Sequence, residues 1–505
     1  MIFLCNHYAF FLLKISNICI FVVIFNLYYK KQIFSLIAIC KKSIHLILLI
    51  NVFTSLRFNL VNNNVLLNNR DVMKRDNTKL PLLQDADLKG KVVLVRVDHN
   101  VVKKGEIHDP YRIDATLGTL YYINAKGGKI ILMSHVGRPR NKKTGSIVIS
   151  DDTSVQPIVD YLESKLHIKL KTPTFYEHDN KGYLGIETSI NHLIRALKGD
   201  EIDGIYLPNT RWFAGEEGNG EEAERFADQL AGLADIFVND AFGSWQPHAS
   251  TSIIPKYLPS YAGFLLQKEI LNLERIYSPE KPFVAVVAGS KFDTKIDSLF
   301  ALIKKADYVV LGGVMYNAYL AAKYNIEIKG ITEDDLRHAQ SFVEFSKAYK
   351  NKLIELPFIV ESDTLEGKFE GKYRTHNIKD LKAGMKLNYV LDVASESFEI
   401  AEVKDVFHEA HTIFVNAVMG FTPHFNDGTI ALDQTIDENR TAVKLYGGGD
   451  TMQELKRLLP GLYIVALDSP KYYIFTGGGA VLKAIQEGTS LGLEPVRALY
   501  HQIPY

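Results

Sequence analysis

The side chains best suited to handling anions sit in short stretches that each follow an apolar, β-branched run. In the first half of the chain these exits are Asp98-His99-Asn100, Ser134-His135-x-Gly137-Arg138-Pro139, Asn209-Thr210-Arg211 and Asn239-Asp240. In the second half they are Gly289-Ser290-Lys291, Asn416, Gly447-Gly448-Gly449-Asp450-Thr451 and Gly477-Gly478-Gly479. Arg112, Arg138 and Arg211 carry guanidinium forks, which grip a carboxylate or phosphate through two parallel N–H bonds. Converging with Asn100 and His135 they would form an anion site; singly, each arginine reads as a surface salt bridge and His135 as a structural hydrogen bonder. Lys291 and Lys295 leave a strand where a helix begins and would reach one phosphate chain, although a solvated lysine pair is the commoner fate. Glycines let backbone N–H groups approach a phosphate, and Asp450 would hold Mg²⁺ directly or through water. The alternative there is a tight turn with Asp450 as the helix cap. Neither a Gly-x-x-x-x-Gly-Lys-Ser/Thr nor a Gly-x-Gly-x-x-Gly occurs, which removes the ordinary P-loop and dinucleotide readings. Arginines and a histidine on one side, with lysines, triple glycines and an aspartate on the other, suit two different anionic ligands facing each other.

Such residues need a scaffold. The spacing predicts strands over Val92–Val97, Lys129–Met133, Ile202–Leu207, Ile236–Val238, Phe283–Val287, Tyr308–Leu311, Thr412–Val415, Ala442–Leu445 and Tyr472–Phe475, alternating with stretches of helical period. Apolar runs separated by helices mean βαβ units and parallel sheets buried on both faces, with ligands beyond the carboxyl ends of the strands. Nine runs are too many for one small sheet. In 221–234, Ala223, Phe226, Ala227, Leu230, Ala231 and Ala234 fall on one helical face. A helix predicted over 264–277, followed by Pro279 and Pro282, marks the boundary between two α/β halves.

The 505 residues carry 58 basic and 58 acidic side chains, so no global charge excess advertises nucleic acid or a membrane surface. Length and composition exclude a collagen-like or wholly disordered chain. The balance hides a split: residues 1–72 hold seven Lys/Arg, one acid and all three cysteines, and the first Pro and Gly are Pro81 and Gly90. That segment reads either as an anchor, apolar from Phe10 to Tyr29 with Lys30-Lys31 following, or as sequence upstream of a start at Met73. No cysteine is left for a disulfide framework or a Cys-based metal site in the remainder, which fits a reducing, cytoplasmic setting.

A family resemblance rests on motifs in order: Arg96-Val97-Asp98-His99-Asn100, Tyr111-Arg112-Ile113, Ser134-His135-Val136-Gly137-Arg138-Pro139, Gly215-Glu216-Glu217, Val238-Asn239-Asp240-Ala241-Phe242-Gly243, His248-Ala249-Ser250-Thr251, Ala262-Gly263-Phe264, Lys291 with Lys295, and Gly447 through Thr451. The chain from about Leu83 to Leu499 resembles phosphoglycerate kinases. The resemblance implies two Rossmann-like domains with mainly parallel sheets flanked by helices and joined by a hinge. It divides the chain into 1–72, a phosphoglycerate-binding domain at 73–262, a nucleotide-binding domain at 263–485, and a segment at 486–505 returning to the first domain. The implied reaction is reversible transfer of the acyl phosphate of 1,3-bisphosphoglycerate to ADP, giving 3-phosphoglycerate and ATP with Mg²⁺. By matching motifs, Asp98, Asn100, Arg112, His135, Arg138 and Arg211 resemble the phosphoglycerate site. Arg112 and Lys291 resemble the pair that stabilises the migrating group, and Lys295 the nucleotide-phosphate lysine. Gly313, Asn416, Gly448, Gly449, Asp450 and Thr451, with Lys291 and Lys295, resemble the nucleotide site, Asp450 being the metal residue. A monomer without a nucleic-acid partner is expected.

The sequence also departs from the family. Ser244-Trp245-Gln246-Pro247-His248 is one residue shorter than the usual segment and lacks its arginine. Asn416-Ala417-Val418-Met419-Gly420 replaces Asn-Gly-Pro-x-Gly, Pro423 stands where a ribose glutamate is expected, Ala394-Ser395 replaces Gly-Pro, and a triple glycine reads Gly312-Gly313-Val314. These changes gather on the nucleoside side, so the expectation is transfer chemistry with altered base and ribose recognition. A catalytically silent binding or scaffold protein of the same fold is the alternative, and a membrane-anchored form rests on residues 1–72 alone.

Overall fold

The computed structural model describes residues 79–349 and 351–500, with the backbone of four strands in the opening segment. Those four, Ile2–Cys5, Tyr8–Ile15, Ile18–Phe25 and Phe34–Cys40, pair in order as an antiparallel sheet. The segment forms a unit separate from Leu80–Tyr505; the anchor reading falls on residues described by backbone strands alone, and the upstream-sequence reading lies outside the described residues. No described helix is long and apolar enough to cross a membrane.

The predicted strands form two six-stranded parallel sheets. The first runs Ser260–Ala262, Ile236–Asp240, Val92–Val97, Lys129–Met133, Gly204–Tyr206, Leu170–Lys171. Alternation places Val92 and Leu94 in one buried cluster and Val93, Val95 and Val97 in another, so both faces are apolar. The second sheet runs Leu353–Ile354, Tyr308–Gly312, Phe283–Gly289, Thr412–Asn416, Val443–Gly447, Tyr472–Phe475. Numbered within the sheet its order is 3-2-1-4-5-6, whose switch point falls between Phe283–Gly289 and Thr412–Asn416 and opens a ligand crevice there. In the first sheet the reversal falls between Val92–Val97 and Ile236–Asp240.

The short strands Leu170–Lys171, Ser260–Ala262 and Leu353–Ile354 escaped the sequence reading because two or three residues carry no period. It also missed an antiparallel sheet of Phe358–Ser362, Tyr373–Asn377 and Tyr389–Val393. Helix Glu221–Ala231 buries Ala223, Phe226, Ala227, Leu230 and Ala231, and Gly232 stops it before Ala234. Helix Phe264–Tyr277 follows the first sheet directly and ends before Pro279 and Pro282. It buries Glu269, whose carboxylate accepts from the Thr476 backbone (2.9 Å) and hydroxyl (2.8 Å) beyond the second sheet's last strand. The final helix, Glu494–Tyr500, packs back on Ala249–Ile253 and Ser260–Ala262.

Candidate active site

Beyond the carboxyl end of Val92–Val97, the first group is built on a buried cation. Arg96 is fully buried: Nε donates to Ser250 Oγ (2.8 Å), Nη1 to Val97 O, and Nη2 to His135 Nδ1 (3.0 Å). Because Nδ1 accepts, His135 keeps its proton on Nε2. Burial, then the charges of Arg96, Arg211, His248 and Arg112, push its pKa well below the ordinary histidine value, so it is a neutral N–H donor. His99 is neutral as well, burial and Arg96 lowering it to about 3. Its Nε2 meets Thr116 Oγ1 (2.9 Å), whose hydroxyl donates to Ile113 O, and its Nδ1 meets Tyr206 Oη (3.1 Å). This chain pins the turn Tyr111–Asp114 that carries Arg112.

Arg112 Nη1 lies 3.2 Å from Asp98 Oδ2, while buried Asp98 Oδ1 has no hydrogen-bond partner. An orphaned carboxylate oxygen beside a guanidinium is a place for a ligand hydroxyl. Asn100 Oδ1 accepts from Gly137 N (2.9 Å), and Arg211 Nη1 donates to Gly137 O (2.6 Å). Arg211 Nε is 3.0 Å from Glu217 Oε1 in an ion pair that lacks hydrogen-bond geometry. Asp98, Asn100, Arg112, His135 and Arg211 are thus brought together. Arg138 is exposed and takes no partner among the described residues. Sequence reasoning missed Arg96, His99 and Glu217 as site residues. Arg96 had a signal, being the one charge inside an otherwise apolar run.

The second group occupies the switch point of the second sheet. Lys295 Nζ donates to Ala288 O and to Asn416 Oδ1 (2.5 Å), bridging the two strands that flank the reversal. Burial lowers its pKa to about 8 against the opposing pull of Asp450. Asn416 Nδ2 donates to Gly447 O (2.5 Å). Gly448 has φ +127°, and a Cβ there would stand 3.0 Å from Thr451 Oγ1 and 3.1 Å from Asn416 Nδ2. Gly313, at φ +59°, lies against Gly289 with 3.0 Å between its would-be Cβ and the carbonyl oxygen. Gly448 caps helix Gly449–Leu458 without a side-chain cap bond, so Asp450 lies within the first turn and is not the cap. Gly449, Asp450 and Lys291 are exposed, while Lys295, Asn416, Gly313, Gly448 and Thr451 are gathered. For the nucleotide site that the sequence resemblance implies, Gly448→Ala should weaken nucleotide binding by about fivefold or more, because a side chain strains this backbone by about 1–3 kcal/mol. Titration calorimetry with nucleotide, and with phosphoglycerate as the unaffected control, checks it.

The two groups meet along a seam of glycines. A Cβ on Gly243 would collide with Asp98 Oδ2, and one on Gly477 would lie 2.5 Å from Gly243 Cα. A Cβ on the next residue, Gly478, would strike Gly448 Cα. The backbone therefore passes from Asp98 through Gly243, Gly477 and Gly478 to Gly448 with no side chain between. Tyr111, beside Arg112, donates from Oη to Ile474 O (2.9 Å), and Lys456 pairs with Asp109 (3.2 Å). Asn439, in an Asn-Arg-Thr triplet, is buried and donates to the carbonyls of Phe407, His408 and Ala410, so it is a structural amide and not an acceptor for sugar.

Comparison with known proteins agrees with this architecture. The family model described as phosphoglycerate kinase matches residues 83–488. A phosphoglycerate kinase of Dictyoglomus turgidum is 34% identical over 410 residues, covering 80% of this chain and 95% of that protein. One of Desulforudis audaxviator is 35% identical over 413 residues, with the same coverages. The solved phosphoglycerate kinase of Coxiella burnetii superposes with a TM-score of 0.64 at 28% identity, over 83% of this chain and 98% of that one. That of Pyrococcus horikoshii shares the fold at 21% identity with a TM-score of 0.64, over 84% and 100%. The chain belongs to the phosphoglycerate kinase family.

Proposed function

We propose that this member of a phosphotransferase family catalyses reversible transfer of the acyl phosphate of 1,3-bisphosphoglycerate to ADP. The observation that carries the reading is the glycine seam, which sets an arginine-rich acid pocket against a lysine- and glycine-lined phosphate pocket. In the forward direction a terminal ADP oxygen forms a bond to phosphorus as the bond to the carboxyl oxygen breaks, leaving 3-phosphoglycerate carboxylate. A loose transition state spreads charge over the moving group, so the protein's task is to position and neutralise. Asp98, Asn100, the Nε2–H of His135, Arg138 and Arg211 bind the phosphoglycerate. Arg112 and Lys291 hold the migrating phosphoryl from opposite sides, and Lys295, Gly313, Asn416, Gly448, Gly449 and Thr451 hold the nucleotide phosphates. Domain boundaries near 262 and 485, flanking a hinge, allow the two pockets to close and exclude water.

Among the described residues no cluster of three His, Cys, Asp or Glu side chains forms a metal cage. The single exposed carboxylate of Asp450 fits Mg²⁺ arriving with a polyphosphate, since Mg²⁺ keeps several waters and needs only one or two carboxylates. Bound there, Mg²⁺ would neutralise phosphate charge. On the nucleoside side Met419 Sδ lies 2.5 Å from where a Cβ on Gly312 would stand, so methionine fills the space beside that glycine. The altered loop supports changed base recognition, and the pocket is tested with ATP and GTP side by side.

The test is a coupled assay of the full chain with 3-phosphoglycerate and Mg-ATP. Turnover supports transfer. Phosphoglycerate binding without turnover at high enzyme favours a silent binding protein, a reading motivated by the missing arginine and by Pro423. A pH dependence follows from Lys295. Its lowered pKa removes the ammonium as pH rises through about 8 in the free enzyme, so kcat/KM for nucleotide should fall on that limb. Lys295→Arg should move the limb to higher pH, as a pH–rate profile would show.

A further inference from the structure

We infer that Trp245 is a positioning residue that transmits occupancy of the acid pocket to the glycine turn heading helix Gly478–Glu487. The inference rests on the phosphoryl-transfer reading of the site. Trp245 lies in the shortened, arginine-free segment, directly after two residues already at work. Before it, Ser244 Oγ lies 3.4 Å from His135 Nδ1, inside the acid pocket. One residue further back, Gly243 abuts the Gly477 backbone. Trp245 itself is half-buried, and its indole Nε1 stands 3.2 Å from where a Cβ on Gly479 would be.

A ring with only two side-chain torsions makes a stiff wedge. Its base is coupled to the group that senses the acid ligand, and its tip faces the side-chain-free flank of Gly479, whose neighbour Gly478 packs on Gly448. A ligand engaging His135 shifts Ser244, and the indole carries that shift to Gly479. Trp245 acts through the turn and does not itself hold substrate.

The sequence contains only two tryptophans, which makes the test optical. Trp212, which directly follows Arg211, is buried in the first sheet's core with Nε1 donating to Thr153 Oγ1 (2.9 Å), so Trp245 is read with Trp212 replaced. In the full chain, 3-phosphoglycerate should change the emission of Trp212→Phe, in which Trp245 is the remaining indole. Trp245→Ala should lower kcat about tenfold with KM for 3-phosphoglycerate changed less than about twofold, and Trp245→Phe, which keeps a wedge, should recover most of the rate. Gly479→Ala in the Trp212→Phe background should alter emission without any ligand, so the contact is read even if the wild type turns nothing over. The inference is overturned if Trp212→Phe shows no ligand-induced change, if Trp245→Ala raises KM at unchanged kcat, or if Gly479→Ala leaves the emission as it was. Absence of turnover in wild type, with the Gly479→Ala effect present, counts against the kinase reading and not against the contact.

Discussion

Lys291→Ala is expected to lower kcat by about 10²- to 10³-fold while the Kd for 3-phosphoglycerate stays within about twofold. The two lysines of the second sheet stand in different situations. Lys295 is spent on Ala288 and Asn416 and bridges the switch point, so part of its work is structural. Lys291 is exposed and its ammonium takes no partner among the described residues, yet its backbone is held, the carbonyl accepting from Thr294 Oγ1 (3.3 Å). The next residue, Phe292, is fully buried and donates its backbone N–H to Asp335 Oδ1 (2.9 Å). A charge on a fixed base, with no ion pair to break, costs little to bring onto a phosphoryl group during closure. Steady-state kinetics with calorimetric binding checks the split; unchanged turnover rejects the assigned role.

Arg96→Met is expected to destabilise the fold by about 3–5 kcal/mol, because removing one partner of a buried pair leaves an uncompensated charge. Arg96 and Glu216 are both fully inaccessible and 4.0 Å apart. Ser250 joins them, accepting from Arg96 and donating from Oγ to Glu216 Oε1 (2.6 Å), with Thr210 Oγ1 donating at 2.9 Å. Methionine matches the stem and removes the charge. Glu216→Gln in the same chain should recover part of the loss, because the remaining partner is then neutral. Urea unfolding midpoints of the single and double variants measure this, and additive losses would show that the pair is not coupled.

Much of this was legible in the sequence because parallel strands buried on both faces print continuous apolar runs. Val92–Val97, Lys129–Met133 and Tyr472–Phe475 have the same bounds in the structure as in the sequence. Residues at strand exits were legible for the same reason, since a chain leaving a sheet's carboxyl edge arrives at the ligand crevice. The tiny edge strands and the antiparallel sheet at 358–393 were not, since side-chain partners there are set by tertiary packing. Nor was the difference between Lys291 and Lys295, or between exposed Arg138 and engaged Arg211, because Lys295 is held by Asn416, 121 residues away, and Arg211 by Gly137, 74 residues away. The seam was visible only as glycines; that Gly477 faces Gly243 required the fold.

In the proposed reaction Arg112, on the turn Tyr111–Asp114, and Lys291, following strand Phe283–Gly289, reach one phosphoryl group. The decisive measurement is a crystal structure of the full chain with 3-phosphoglycerate, Mg-ADP and a metal-fluoride mimic of that group. Nitrogens of Arg112 and Lys291 should both lie within about 3 Å of the mimic's fluorines. A closed complex with the mimic in place and either side chain turned away from it would rule out the shared grip.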